Sequence, residues 1–390
     1  MMVDPKGVRV PLVDELAARV SGFESSPDAL FAIADELANE YSGQQAPESV
    51  RMLISIARGG LMGPHDGWFG PAQSRYDWAW LAALHDVAID GGIAADKFLG
   101  SPVWFARLDR NRNGEITAED LDWSEQNPWV QHAYAVNRLL RRLDTKGDGT
   151  LSRAEWLAFY DSVAGSNDSA ALEDLREAWL AGISASFYPG DAPTQQQLLQ
   201  GFVSSELGSL QEGPQLNDPA PDFTLTTQDG RQTIRLAEKI GPRPVVLVFG
   251  NFTCSPFRSM YPGVEAVYRR FSAEATFLAV YVREAHPSDG WKMESNSRLG
   301  IAVTQPTTLA ERTAVAGQCH RLLNPEIPLL VDEIDDRVGN AYSGMPARLY
   351  VIDTEGKIAY KSGRGPFGFK VGEMEQALLM TLLDARAIRS

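Results

Sequence analysis

Between Gly208 and Pro221 the chain changes its texture, and this change limits the available folds more than any other feature. Three prolines and two glycines sit there among polar residues, a pattern that reads as a linker. Before it the apolar spacing is helical, as in Val130, Tyr134, Leu139, Leu140 and Leu143, then Trp156, Leu157, Phe159 and Tyr160. After it come short β-branched and aromatic runs at Val245–Phe249, Thr276–Val282, Leu329–Val331, Leu349–Ile352 and Ile358–Tyr360. Helical patterns at Gly263–Ala273, Leu309–Leu323 and Glu373–Leu383 separate or follow those runs, and Phe223–Thr226 with Thr233–Leu236 predicts an opening hairpin. The expected organisation is an all-α region over 1–212 and an α/β domain over 213–390 with helices packed on a central sheet.

Charge follows the same division. Residues 1–212 hold 31 acids and 16 bases, whereas 213–390 hold 20 of each. An acidic chain lacks the clustered Lys and Arg that phosphate contacts need, so nucleic acid is not an expected partner. No apolar run approaches the roughly 18 residues of a membrane span, and Met1–Val20 has no signal-peptide core. Two cysteines in 390 residues cannot form a disulfide scaffold. A soluble cytoplasmic protein is the expectation.

The acidic half carries two twelve-residue loops with oxygen ligands in cation-binding phase. In 109–120, Asp109, Asn111 and Asn113 occupy positions one, three and five, Gly114 makes the turn, Glu115 offers its carbonyl, and Ile116 packs inward. Asp120 stands at position twelve, where a Glu reaches more easily for bidentate contact. In 144–155, Asp144, Asp148, Thr150 and Glu155 are in phase, but Lys146 at position three cannot ligate. The two loops start 144 − 109 = 35 residues apart, a spacing that predicts a packed pair, and a degenerate third loop runs over 86–97. The loops resemble the EF-hand family. That resemblance implies Ca²⁺ as the ion, with Mg²⁺ as a competitor and weakened affinity.

Chemistry concentrates at Cys254. It follows the apolar run Val245–Phe249 and precedes a helical pattern, a turn where free backbone N–H groups and the helix dipole favour thiolate over thiol. Met345-Pro346 lies just before another strand, the companion of the reactive thiol in thioredoxin-like folds. A dithiol oxidoreductase would need a second cysteine at Phe257; a peroxiredoxin would place Thr and Pro where Asn251 and Leu247 stand.

The segment Phe249-Gly250-Asn251-Phe252-Thr253-Cys254-Ser255-Pro256-Phe257 resembles the active-site segment of the iodothyronine deiodinases, with Cys254 at the selenocysteine position of vertebrate members. Glu284-Ala285-His286-Pro287-Ser288-Asp289-Gly290-Trp291, Arg348–Ile352 and Gly363-Arg364-Gly365-Pro366 match further signatures of that family in order. The resemblance covers about Pro219 to Leu383 and implies a thioredoxin-like domain. It also implies that Cys254 attacks the halogen of an iodinated aromatic to give a sulfenyl halide. His286, with Glu284 on the same face of a strand end, is then the expected proton donor or substrate orienter. Arg364 is expected to hold an amino-acid carboxylate, with Thr253 as a further substrate contact. The vertebrate membrane anchor is not matched, and the EF-hand region stands in its place.

Cys319, 319 − 254 = 65 residues on, is a candidate resolving thiol if its Cα comes within about 7 Å of that of Cys254. Thioredoxin or glutathione is the expected external reductant, and a homodimer is left open. Two other readings stand beside the dehalogenase. One is a peroxiredoxin-like thiol peroxidase; the other is a calcium-responsive binding protein without turnover.

Overall fold

The computed structural model describes residues 11–22, 26–42, 46–60, 72–124, 126–146, 150–165, 167, 169–181, 191–208 and 210–387. In the N-terminal half these form α1 (Pro11–Val20), α2 (Pro27–Glu40), α3 (Glu48–Ala57), α4 (Trp78–Leu84), α5 (Pro102–Leu108), α6 (Ala118–Leu121), α7 (Pro128–Leu143), α8 (Arg153–Ala164), α9 (Leu172–Ala181) and α10 (Gln195–Val203). Three two-residue strands lie among them: β1 (Gln73–Ser74), β2 (Ile93–Ala94) and β3 (Glu115–Ile116). The C-terminal half opens with the hairpin β4 (Thr224–Thr227) and β5 (Thr233–Arg235). Strands β6 (Val245–Gly250), β7 (Thr276–Tyr281), β8 (Leu329–Val331), β9 (Arg348–Ile352) and β10 (Ile358–Lys361) follow. Helices α11 (Ser255–Phe271), α12 (Glu294–Arg298), α13 (Leu309–Leu323), α14 (Arg337–Ala341) and α15 (Val371–Ala387) connect and close them.

Apart from β2 and β3, which pair with each other, the strands join in one sheet of order β1-β10-β9-β6-β7-β8-β4-β5. Strands β6, β7 and β8 run parallel, and β9 lies antiparallel on the other side of β6. Every residue of β6 and β9 is buried, which explains their continuous apolar runs. The peptide Met345–Pro346 before β9 is cis. A parallel β-α-β unit beside an antiparallel hairpin, with a cysteine at the first strand-to-helix turn and a cis-proline facing it, is the thioredoxin-like arrangement.

The two halves are packed together. β1 pairs with β10 (Gln73 with Lys361), so the helical half closes one edge of the sheet. Trp78, Leu81, Trp104, Phe105 and Leu108 belong to the same apolar core as the sheet. Arg107 of α5 and Arg270 of α11 both pair with the buried carboxylate of Glu375 on α15, at 2.6 and 2.9 Å. A second, smaller core joins α1, α2, α3 and α10 through Leu16, Leu30, Leu37, Leu53, Leu198 and Phe202, with Trp291 and Phe367 leaning on it. The stretch read as a linker is itself anchored: Leu210 is buried in that second core.

One pairing differs from expectation. The loop 109–120 pairs with the degenerate loop 86–97 through β2 and β3 (Ile93 with Ile116), and among the described residues no strand pairing joins it to 144–155. Pairing depends on the inward apolar residue at position eight, and Ile93 keeps it although the ligand positions of its loop have decayed.

Candidate active site

Cys254 caps the N-terminus of α11, with Pro256 in the first turn. The close approach of that turn to β6 depends on Gly250, where a Cβ would come within 2.4 Å of the Phe257 ring. Asn251 fixes the turn. Its Oδ1 accepts from the N–H of Cys254 (3.0 Å), the hydroxyl of Thr253 (3.2 Å) and the N–H of Ala285 (3.1 Å). Its Nδ2 donates to the carbonyl of Pro346 (3.0 Å), so one fully buried amide joins the thiol turn, the 284–286 segment and the cis-proline loop. In the sequence, Asn251 is marked only by its departure from the peroxiredoxin pattern. A polar residue inside a buried strand-to-helix turn was the signal available.

Cys254 is 2% exposed and lines a cavity of about 50 Å³ with His286, Trp291, Met293, Pro346 and Arg364. Residues of the N-terminal half complete the wall, among them Asp191, Glu206 and Leu207. The space is small for a ring: an apolar cavity of roughly 150 Å³ is the size that holds benzene. Burial pushes the Cys254 thiol up to about 11, against the Phe257 N–H and the Arg258 guanidinium, which favour thiolate. The expectation of a lowered pKa is therefore corrected: the helix N-terminus is present, but desolvation outweighs it. Arg258 donates to the carbonyl of Phe252 and, at 2.8 Å, to Asn296, which in turn holds the carbonyl of Thr253.

His286 is half-buried, and loss of water lowers its pKa to about 4. Its Nδ1 lies 3.2 Å from the carbonyl oxygen of Trp291. A carbonyl only accepts, so Nδ1 carries the proton and Nε2 keeps its lone pair. The Trp291 ring meets the imidazole edge-on at 4.8 Å. Glu284 and His286 do not share a face as expected. β7 ends at Tyr281, strand alternation is lost beyond it, and Glu284 turns beneath the thiol loop. There it accepts from the Tyr281 hydroxyl and from the N–H of Thr253 (2.9 Å). Burial raises the Glu284 pKa, and the residue does not line the cavity. Thr253 is likewise committed to the loop, its hydroxyl accepting from the N–H of His286 (3.0 Å). Cys319 is buried on α13, outside the cavity lining, and burial drives its pKa far up.

Arg364 does line the cavity, but its charge is already matched. Its Nε donates to Glu48 of α3 (2.9 Å), and Arg348 donates to the same carboxylate at 2.9 Å. The two guanidinium groups hold Glu48 down to about 2 against its own burial.

The cation loops are closed by their own hydrogen bonds. Asp109 accepts from the N–H groups of Asn113 and Gly114, Asn111 from that of Asn113, and Asn113 from that of Glu115. These oxygens retain lone pairs for an ion. Asp120 is different. Its two oxygens take the N–H groups of Arg110 and Asn111 across the loop and of Thr117, so a cation has to compete with three backbone donors for this short carboxylate. Glu155 is bound in the same way to Thr145, Lys146 and Ser152. Asp144 is half-buried and Thr150 exposed, and Asp148 lies outside the described residues. Among the described residues no group of three or more His, Cys, Asp or Glu is assembled for a metal. The donors of 109–120 fit a cation if Asp120 gives up its backbone donors for the ion.

Comparison with known proteins places the chain in a family. The EF-hand family model matches residues 103–122 and 136–160, and the iodothyronine deiodinase model matches 194–381. The chain is 33% identical over 213 residues to thyroxine 5-deiodinase from Gallus gallus, covering 54% of this chain and 71% of that one. It is 34% identical to type II iodothyronine deiodinase from Sus scrofa, covering 48% and 70%. It spans about half, 52%, of the thyroxine 5-deiodinase of Ovis aries. Among solved structures, a thiol:disulfide interchange protein DsbE from Chlorobium tepidum aligns at 21% identity and a TM-score of 0.32, over 44% of this chain and 99% of that one. With the thiol turn, the cis-proline loop and the His286 segment in their family order, the chain belongs to the iodothyronine deiodinase family of oxidoreductases, with EF-hand motifs in its N-terminal half.

Proposed function

We propose that the protein removes iodide reductively from an iodinated aromatic ring, with the Cys254 sulfur as the atom that takes the halogen. What supports this reading is that Cys254 and His286 line one largely apolar cavity, with His286 Nδ1 turned to the Trp291 carbonyl so that Nε2 is the nitrogen left to accept a proton. Nε2 of His286 takes the thiol proton as sulfur attacks iodine. The C–I bond breaks, its electron pair stays on the ring carbon, and His286 delivers the proton there. The step balances as ArI + Cys–SH giving ArH + Cys–S–I. Two external thiols then release iodide and a proton and leave as a disulfide, restoring Cys254. Thioredoxin or glutathione fits that role, since Cys319 lies outside the cavity. The thiols require a reducing compartment, the cytoplasm in this reading. Asn251, Glu284 and Thr253 hold the loop and act as positioning residues. The cavity must widen to admit a ring. Ca²⁺ binding, in this reading, is weak and structural.

The test is iodide release from thyroxine and 3,5-diiodotyrosine with dithiothreitol, for the full chain and for Cys254→Ser. Release by the wild type and its loss in the variant are expected. Residual activity above roughly a tenth in the variant would sink the assignment of the nucleophile.

A further inference from the structure

A second cavity, of about 260 Å³, lies between β1, the segment 121–124 that leaves the first cation loop, and α15. It shares no lining residue with the thiol cavity. Tyr76, Leu121, Trp123, Ala377 and Met380 give it apolar and aromatic walls. Roughly 150 Å³ holds a benzene ring, so the larger volume has room for two fused rings and a short tail.

The aromatic wall is held in place by its own bonds. Nε1 of Trp123 donates to Oε1 of Gln376 (2.7 Å), and Nε2 of Gln376 donates to the carbonyl of Asp120 (2.9 Å). The Arg110 guanidinium stacks over the Trp123 ring at 4.7 Å, and the Tyr76 hydroxyl donates to Asp384 (2.9 Å). Lys370 donates from Nζ to the carbonyl of Trp123 (3.4 Å). One lining atom is left over. Glu373 stands in the first turn of α15, and its Oε2 is buried with no hydrogen-bond partner among the described residues. The Tyr360 hydroxyl lies close enough to favour the ionised carboxyl, as do Lys370 and Arg110, yet burial still raises the Glu373 pKa to about 7. A buried carboxylate oxygen without a donor carries a cost that an N–H group of a ligand would recover, most of all a charged one.

We propose that this cavity is a binding site for a compact aromatic amine, its one or two rings against Trp123 and Met380 and its ammonium donating to Oε2 of Glu373. The charge of the helical half favours a cation, since residues 1–212 hold 31 acids against 16 bases. Lys370 is the group that an acid would use in place of Glu373, and the test separates the two polarities.

Equilibrium dialysis of the full chain compares tryptamine with indole-3-propionate, which share a ring and a two-carbon spacer and differ in the charge of the end group. Tryptamine is expected to bind about tenfold or more tighter. Glu373→Gln keeps the shape of the side chain and removes its charge. It should weaken tryptamine by about tenfold or more without weakening indole-3-propionate, whereas Lys370→Ala should not weaken tryptamine. The comparison of the two compounds on the wild type stands even if a variant folds poorly. Tighter binding of indole-3-propionate, lost in Lys370→Ala, overturns the proposal. So does tryptamine uptake that Glu373→Gln leaves unchanged, the result that general attraction of amines to an acidic chain would give. No uptake of tryptamine at millimolar concentration overturns it as well. Iodide release is not a readout here, so failure of the dehalogenase reading would leave this result unaffected.

Discussion

The protonation state of Cys254 can be tested directly, because two local effects there have opposite signs. The helix N-terminus and Arg258 favour thiolate, while burial favours thiol, and burial leaves the pKa at about 11 against an ordinary 9.0. At pH 7 the thiolate is then roughly one part in ten thousand, against about one in a hundred for an unshifted thiol. Alkylation of Cys254 by iodoacetamide, followed by mass spectrometry of its peptide, should therefore run about a hundredfold slower than a free thiol at pH 7. The rate should keep rising past pH 9. The same shift has a stability consequence of fixed sign. The folded state binds this proton more tightly than the unfolded one, so the contribution is complete below about pH 9 and is lost as pH rises toward 11. Two pKa units correspond to about 2–3 kcal/mol. Cys254→Ala should lack that part of the alkaline loss in denaturant titrations at pH 8 and pH 10.5. Fast alkylation at pH 7 with a plateau below pH 9 would refute the reasoning and show that the dipole wins.

Three further outcomes are expected. Asn251→Ala removes four hydrogen bonds at a fully buried site and should cost about 3–4 kcal/mol in a urea titration; a loss below 1 kcal/mol would mean the turn holds itself. His286→Ala should lose roughly 10²–10⁴-fold in turnover with little change in Tm, and normal turnover with a lower Tm would make His286 structural. Ca²⁺ at about 1 mM should stabilise the chain by only about 0.4 kcal/mol, the value for an ion near a millimolar Kd, and a large shift at micromolar Ca²⁺ would show that Asp120 and Glu155 exchange their backbone donors for the ion at little cost.

Much of the sheet was legible because each strand is an apolar run ended by turn residues, and Cys254 and Pro346 were legible because their meaning is local. What escaped was set at long range. Glu48 and Arg364 are 316 positions apart, and nothing in the sequence around Glu48 marks it as the counter-ion of a cavity residue. β1 is two residues long, too short for any periodicity to announce it. The sign of the Cys254 shift failed for the same reason: a helix start can be read from neighbours, while desolvation depends on every segment that closes over the thiol. Loop 86–97 pairs through Ile93, an inward position that survives the loss of its closing ligand to Lys97.

The two-residue strand β1 also bears on how the protein can be divided. The stretch that matches the deiodinase family begins at residue 194, after β1 and after Glu48. Expressed alone, that stretch would present β10 as a bare sheet edge whose four residues are all buried in the whole chain. Such an edge is a template for strand addition between molecules. Arg348 and Arg364 would at the same time lose the carboxylate between them. The excised domain should therefore accumulate as insoluble aggregate, and supplying residues 1–193 as a separate polypeptide during refolding should return it to solution.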